Sequence, residues 1–242
     1  AYCMLIPVML VYYFFRLPLI KNLLSSVLRM TLQLGLVGIY LKYIFHWNNF
    51  GINLLWFLFT AAVAGWTVTR QLKLSFKVIF PAVYIALCCG SLAVVLYFVL
   101  LVAENSPANA ALFVPIGGMV LGNSMRGNVI VIQRFEKALA DNVEEYRLRL
   151  MLGATQAEAL SPFEIDALRS SLTPQLATIA TAGIVSLPGM MTGQMLGGAD
   201  PTTAIEYQAA IMLGIVTSQT LSEVMLLKLL RKKVIKPEVA LI

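Results

Sequence analysis

Four residues just past a proline and a glycine are the strongest candidates for chemistry. Leu187-Pro188-Gly189 is followed directly by Met190, Met191, Gln194 and Met195 within a largely apolar run. Pro188 cannot donate to the carbonyl four residues back, and Gly189 weakens the next turn, so a helix here must kink or unwind. Irregular backbone at membrane depth is tolerated only against protein or a water-filled cavity. Met191 and Met195, four apart, share a face on a resumed helix, with Met190 about 100° round it. Thioethers suit soft metals such as Cu(I), and ferrous iron less well. Methionine also simply fills irregular space, so a transient metal site and an apolar gate both fit.

Other reactive types are few. Glu223 lies in one apolar segment and Arg126 near the end of another. Charged residues in spans face protein or a wet cavity and tend to pair, so an Arg126–Glu223 pair is one expectation and separate snorkelling the other. Asn123 adds a buried amide near Arg126, and Gly118 and Gly122 form a small-xxx-small face suited to close helix packing or a dimer seam. The single histidine, His46, stands beside Trp47 as an interfacial anchor. Cys3, Cys88 and Cys89 show neither metal nor disulfide spacing and read as small buried hydrophobes. No phosphate-binding GxxxxGK[ST] loop and no catalytic cluster occurs. The expectation is therefore no enzyme activity and no cofactor held by this chain.

The elements that must position these residues are membrane helices. Of 242 residues 59% are hydrophobic and 12% charged, against about 25% charged in a soluble domain. The fold class is all-α and polytopic. Seven apolar segments lie near 2–15, 31–47, 51–69, 78–103, 109–130, 174–197 and 205–227, most of them near the roughly 20 residues of a spanning helix. The first lacks a cleavage site and reads as a retained helix; if it lies in the interface, six spans remain. Loop 17–30 repeats apolar residues at helical spacing and reads as an interfacial helix. All the basic residues except Lys42 fall on one side of the seven-span drawing. That places the N-terminus outside and the C-terminus in the cytoplasm. The net charge of +6 is thus a topology signal, and nucleic acid is excluded as a partner; membrane lipid is the surrounding medium.

The long non-membrane stretch, about 133–172, carries the start and stop signals of short stiff helices. An amphipathic helix over 142–152 is closed by Gly153. Thr155 with Glu158, and Ser161 with Glu164 and Pro162 between them, form two capping boxes back to back. Thr173-Pro174 repeats the start signal where the sixth apolar run begins. Capped, rigid helices at a membrane face suit a part that receives a push from another protein.

Several runs carry a resemblance: LGAT (152–155), SLPGMMTG (186–193), GGADP (197–201), AIEYQ (204–208), PIGGMVLGNSM (115–125) and LKYIF (41–45). Together they resemble the FetB-type permease subunit of bacterial iron-export ABC transporters, to which plant aluminium-tolerance permeases are similar. The resemblance implies a single permease domain over 1–242 in the bacterial inner membrane, working as a homodimer. It also implies a separate cytoplasmic ABC ATPase that holds ATP and Mg, and iron or a related metal as cargo. Coupling to the ATPase then falls on Leu152, Gly153, Ala154, Thr155, Glu158, Pro162 and Arg169. The translocation path falls on Asn123, Pro188, Gly189, Met190, Met191, Gln194, Met195 and Glu223. A stand-alone secondary transporter or channel, and an ABC permease for a non-metal substrate, are the alternatives.

Overall fold

A computed structural model describes residues 2–72, 75–185 and 187–231. Lys73, Ser186, Lys232, Lys233 and Lys236, which entered the topology and motif readings, lie outside them. The chain divides into two compact units, 1–48 and 49–242.

The first unit holds helix α1 (Leu5–Phe14) and helix α2 (Ile20–Trp47). At ten residues α1 is too short to span. The interfacial helix expected over 17–30 and the span expected over 31–47 are one helix. No proline interrupts that stretch, and the turn that separates α1 from α2 comes earlier, at Arg16 (φ 50°) and Pro18. The Tyr2 and Thr31 hydroxyls lie 2.9 Å apart and tie the start of this unit to the middle of α2.

The second unit is built on helices α3 (Phe50–Leu72), α4 (Phe76–Tyr97, continued by a π-turn Phe98–Val102), α5 (Ala110–Asp141) and α9 (Pro201–Arg231). Its core takes Phe57, Ala61, Ala64 and Val68 from α3 and Val83, Ala86 and Leu87 from α4, each set at helical spacing. Phe57 and Phe113 meet edge to face at 6.2 Å. In a membrane such packing rests on van der Waals contact and small side chains more than on exclusion of water. Buried Asn53 on α3 clamps the entry to α5, donating to the carbonyls of Pro107 (3.0 Å) and Ala108 (2.9 Å).

Helices α6 (Val143–Met151), α7 (Gln156–Thr181) and α8 (Gly189–Leu196) complete it. Two expectations fail here. Pro162 does not open a helix behind a Ser161–Glu164 box, and Thr173-Pro174 does not start the next one; α7 runs through both prolines. Its buried face, Leu160, Phe163, Ala167 and Ser171, repeats at helical spacing against α5 and α9, and that packing outweighs the hydrogen bonds the prolines omit. Thr173 donates back to the Arg169 carbonyl at 2.7 Å instead of capping a new helix.

Among the described residues four helices are long and apolar enough to cross a membrane: α2, α3, α4 with its π-turn, and α9. The 32-residue α5 is long enough, but Asn123, Arg126 and Asn128 interrupt its apolar run.

Candidate functional site

Three features of the second unit bear on function. The first is the elbow between α6 and α7. Gly153 adopts φ +91°, its N–H donating to Leu150 (3.0 Å) and that of Ala154 to Arg149 (3.1 Å). This pair of bonds closes a helix through a left-handed residue, a conformation glycine adopts without a Cβ clash. Gly198 (φ +90°) ends α8 in the same way, and Asp200 then caps α9, accepting from Thr202 N–H at 2.9 Å. After Gly153 comes the expected capping box: Glu158 accepts from the Thr155 hydroxyl and N–H, both at 2.7 Å, and returns its own N–H to Thr155 at 3.3 Å. The hydroxyl and backbone bonds from Thr155 hold the Glu158 carboxyl below the usual carboxylate range. Leu152, Gly153, Thr155, Glu158 and Arg169 are exposed, and Ala154 and Pro162 half-buried.

The second feature lies at the opposite end of α7. The chain leaves the helix after Thr181 and re-enters one at Gly189, with Pro188 as the capping residue. Beside this interruption is a groove of about 410 Å³ whose walls include Ile179, Ala182, Pro188, Met191, Gln208 and Met212. Of the three methionines expected near the path, Met191 lines it, at 7% exposure, whereas Met190 packs onto the hydrophobic core. Gln194 and Met195 are half-buried and Gly189 is exposed. Gln208, also 7% exposed, brings an amide oxygen with no hydrogen-bond partner among the described residues. In the sequence it closes AIEYQ, and its spacing from Met212, four residues on, is the signal that marks it. Among the described residues no group of three or more His, Cys, Asp and Glu could hold a metal ion.

The third feature is a polar ladder inside the helix packing. Ser218 of α9 lies 2.8 Å from Ser124 of α5 and 3.0 Å from Ser91 of α4, and Asn128 donates to Ser222 at 3.0 Å. One turn on, Glu223 is completely buried. Its Oε1 accepts from Gln219 at 2.8 Å and lies 2.6 Å from Ser171 Oγ, which is also 3.1 Å from the Gly127 carbonyl. The expected Arg126–Glu223 pair is not formed. Arg126 is on the exposed face of α5, and the side of α5 that meets Glu223 is Gly127. Asn123 donates to the Met119 carbonyl of its own helix at 2.8 Å. Glu164, freed from the capping role read in the sequence, binds Arg231 at the end of α9 with both carboxylate oxygens. Ser171, Gln219 and Gly127 were not singled out in the sequence. For Gln219 the signal is a four-residue repeat of polar residues, 218 with 222 and 219 with 223, on the face of α9 that packing buries; Ser171 on α7 and Gly127 on α5 carry no such signal.

Long apolar helices joined by short turns, with polar groups turned inward, define a multi-pass helical membrane protein. The chain belongs to the uncharacterised protein family UPF0014, whose family model matches residues 1–235. It is 32% identical to the probable iron export permease protein FetB of Escherichia coli K12 over 209 residues, 86% of this chain and 80% of that protein. Over 209 residues it is 34% identical to the UPF0014 membrane protein YjkA of Bacillus subtilis, covering 85% and 81% of the two chains. It is 32% identical to the protein ALUMINUM SENSITIVE 3 of Arabidopsis thaliana over 208 residues, 86% and 75%. No solved structure matches it.

Proposed function

We propose that this chain is the permease subunit of an ABC transporter that exports iron or a related metal from a bacterial cell. In this reading it lies in the inner membrane as a homodimer of six-span subunits, with α1 in the interface and the C-terminus in the cytoplasm. The whole of 1–242 acts as one permease domain. The ATPase is a separate cytoplasmic chain that binds ATP and Mg and docks on the 133–172 region. The likeness to FetB over most of both chains supports the cargo and the direction.

The observation that carries the reading is the course of α7. One end is the exposed, doubly fixed elbow at Gly153–Glu158; the other is the helix interruption beside the groove that holds Met191 and Gln208. A push on the elbow therefore reaches the groove along one helix. Alternation of two such membrane states, each with its own affinity for cargo, would move the cargo across.

Co-expression with a candidate ATPase subunit, followed by copurification and reconstitution into liposomes, tests this. Metal-stimulated ATP hydrolysis with ATP-dependent metal flux is expected; metal flux without any ATPase chain would instead make this a secondary transporter. The mostly apolar groove favours a second reading, an ABC permease for a non-metal substrate. That reading predicts a stable complex whose ATPase ignores metal.

A further inference from the structure

Glu223 has a hydrogen-bond arrangement that a carboxylate does not complete. A serine hydroxyl has one proton to donate, yet Ser171 Oγ sits within bonding distance of two acceptors, Glu223 Oε1 and the Gly127 carbonyl. As a carboxylate, Glu223 would compete with Gly127 for that proton. Its Oε2, which has no partner among the described residues, would keep its share of the charge with no donor among them. Among the described residues the ion pairs are Arg147–Glu144, Arg149–Glu145 and Arg231–Glu164. Lys77 of α4, Arg126 of α5, Arg169 of α7 and Lys228 of α9 thus form no ion pair with Glu223, and Asp166 of α7 makes no hydrogen bond to it. Cys88 and Cys89 of α4 and Glu136 of α5 make no hydrogen bond to it.

One added proton resolves the conflict. Placed on Oε1, it is donated to Ser171 Oγ, which frees the Ser171 proton for the Gly127 carbonyl, while Oε1 still accepts from Gln219. The unpartnered Oε2 becomes a neutral carbonyl oxygen, whose burial costs far less than that of a charged one. We propose that Glu223 is a proton-binding site of this protein, and that the bound proton ties α7 to α5 and α9 through the chain Glu223–Ser171–Gly127.

The fold keeps the site tight. A Cβ on Gly127 would collide with Glu223 Oε1 and Gln219 Nε2, so glycine lets the three helices close on the carboxyl. When the proton leaves, the Oε1–H bond breaks, the proton passes to entering water, and an unpaired carboxylate stays at the junction. Separation of α7, which lets water reach that charge, is the relief the packing offers. The site requires neither the cargo nor the ATPase proposed above.

The test uses the full chain in lipid nanodiscs with carbon-13-labelled glutamate. Infrared spectra at neutral pH should show a protonated carboxyl band that responds to deuterium exchange, is missing from Glu223→Gln and is displaced in Ser171→Ala. Wild type and Ser171→Ala that both show only ionised carboxylates would overturn the proposal, whether or not Glu223→Gln assembles. Spin labels on cysteines replacing Arg169 and Lys228, both exposed, report the tie. Their distance distribution should broaden as rising pH removes the band; an unchanged distribution while the band disappears would equally overturn it.

Discussion

Of the three methionines that follow Pro188, Met191 is the one that lines the groove, and this separates it from the other two. Met190 packs on the core and Met195 stands outside the groove lining. Leucine approximately conserves methionine volume while removing sulfur. Met191→Leu should therefore lower metal flux in proteoliposomes several-fold with assembly intact, and Met195→Leu should stay within about two-fold of wild type. Equal flux from both variants and wild type would leave the groove an apolar gate. The same scale separates the glycines of α5. Gly122 has open space where a Cβ would go, and Gly127 has Glu223 and Gln219. Gly127→Ala should cost about 1–3 kcal/mol through overpacking, and Gly122→Ala should stay within about 0.5 kcal/mol. Denaturation in mixed micelles measures both.

At the scale of elements, the sequence disclosed the elbow between α6 and α7 but not the course of α7 beyond it. The stop at Gly153 and the Thr155–Glu158 box are short-range events, decided by the backbone and side chains of a few neighbours, and both stand as read. The course of α7 was not legible, because Pro162 and Pro174 look like starts until the core face of the helix is known to be buried. The Arg126–Glu223 pair failed for a related reason. Depth along two helices can be counted from a sequence, but the face each turns to the other depends on their mutual rotation. The elbow yields a pH prediction. The Glu158 carboxyl is held below its usual range by Thr155, so the cap's contribution is complete above the unfolded-state carboxylate value. It is lost as pH falls through the lowered one. Hydrogen-exchange protection at the first turn of α7, taken relative to the intrinsic exchange rate at each pH, should fall on acidification in that window. In Glu158→Gln, which keeps a hydrogen-bonding side chain without the charge, the window should vanish.

For the whole molecule, what matters is how far a displacement at one end of α7 is felt. Twenty-six helical residues extend about 39 Å at 1.5 Å each, more than the roughly 30 Å hydrocarbon core of a bilayer. Two ties brace this strut against α9: the Glu164–Arg231 pair, and the Ser171–Glu223 contact seven residues further along α7. A strut held at two levels moves with its neighbours when pushed at one end, which suits it to carry force from an ATPase to the groove. If so, the pushing surface must include the first turn of α7. Exposed Cys3 and Cys89 and half-buried Cys88 would first be replaced, and single cysteines then placed at positions 156 to 160 of the chain. Crosslinker should join these to a copurifying ATPase subunit in both nucleotide-free and ATP-bound states, with positions changing in rank between the two. Gly153→Val, strained by roughly 1–2 kcal/mol at a left-handed backbone position, should leave the complex assembled while metal flux per ATP hydrolysed falls at least several-fold. Crosslinks confined to lipid or to the same chain, with Gly153→Val fully coupled, would place the ATPase contact on another surface.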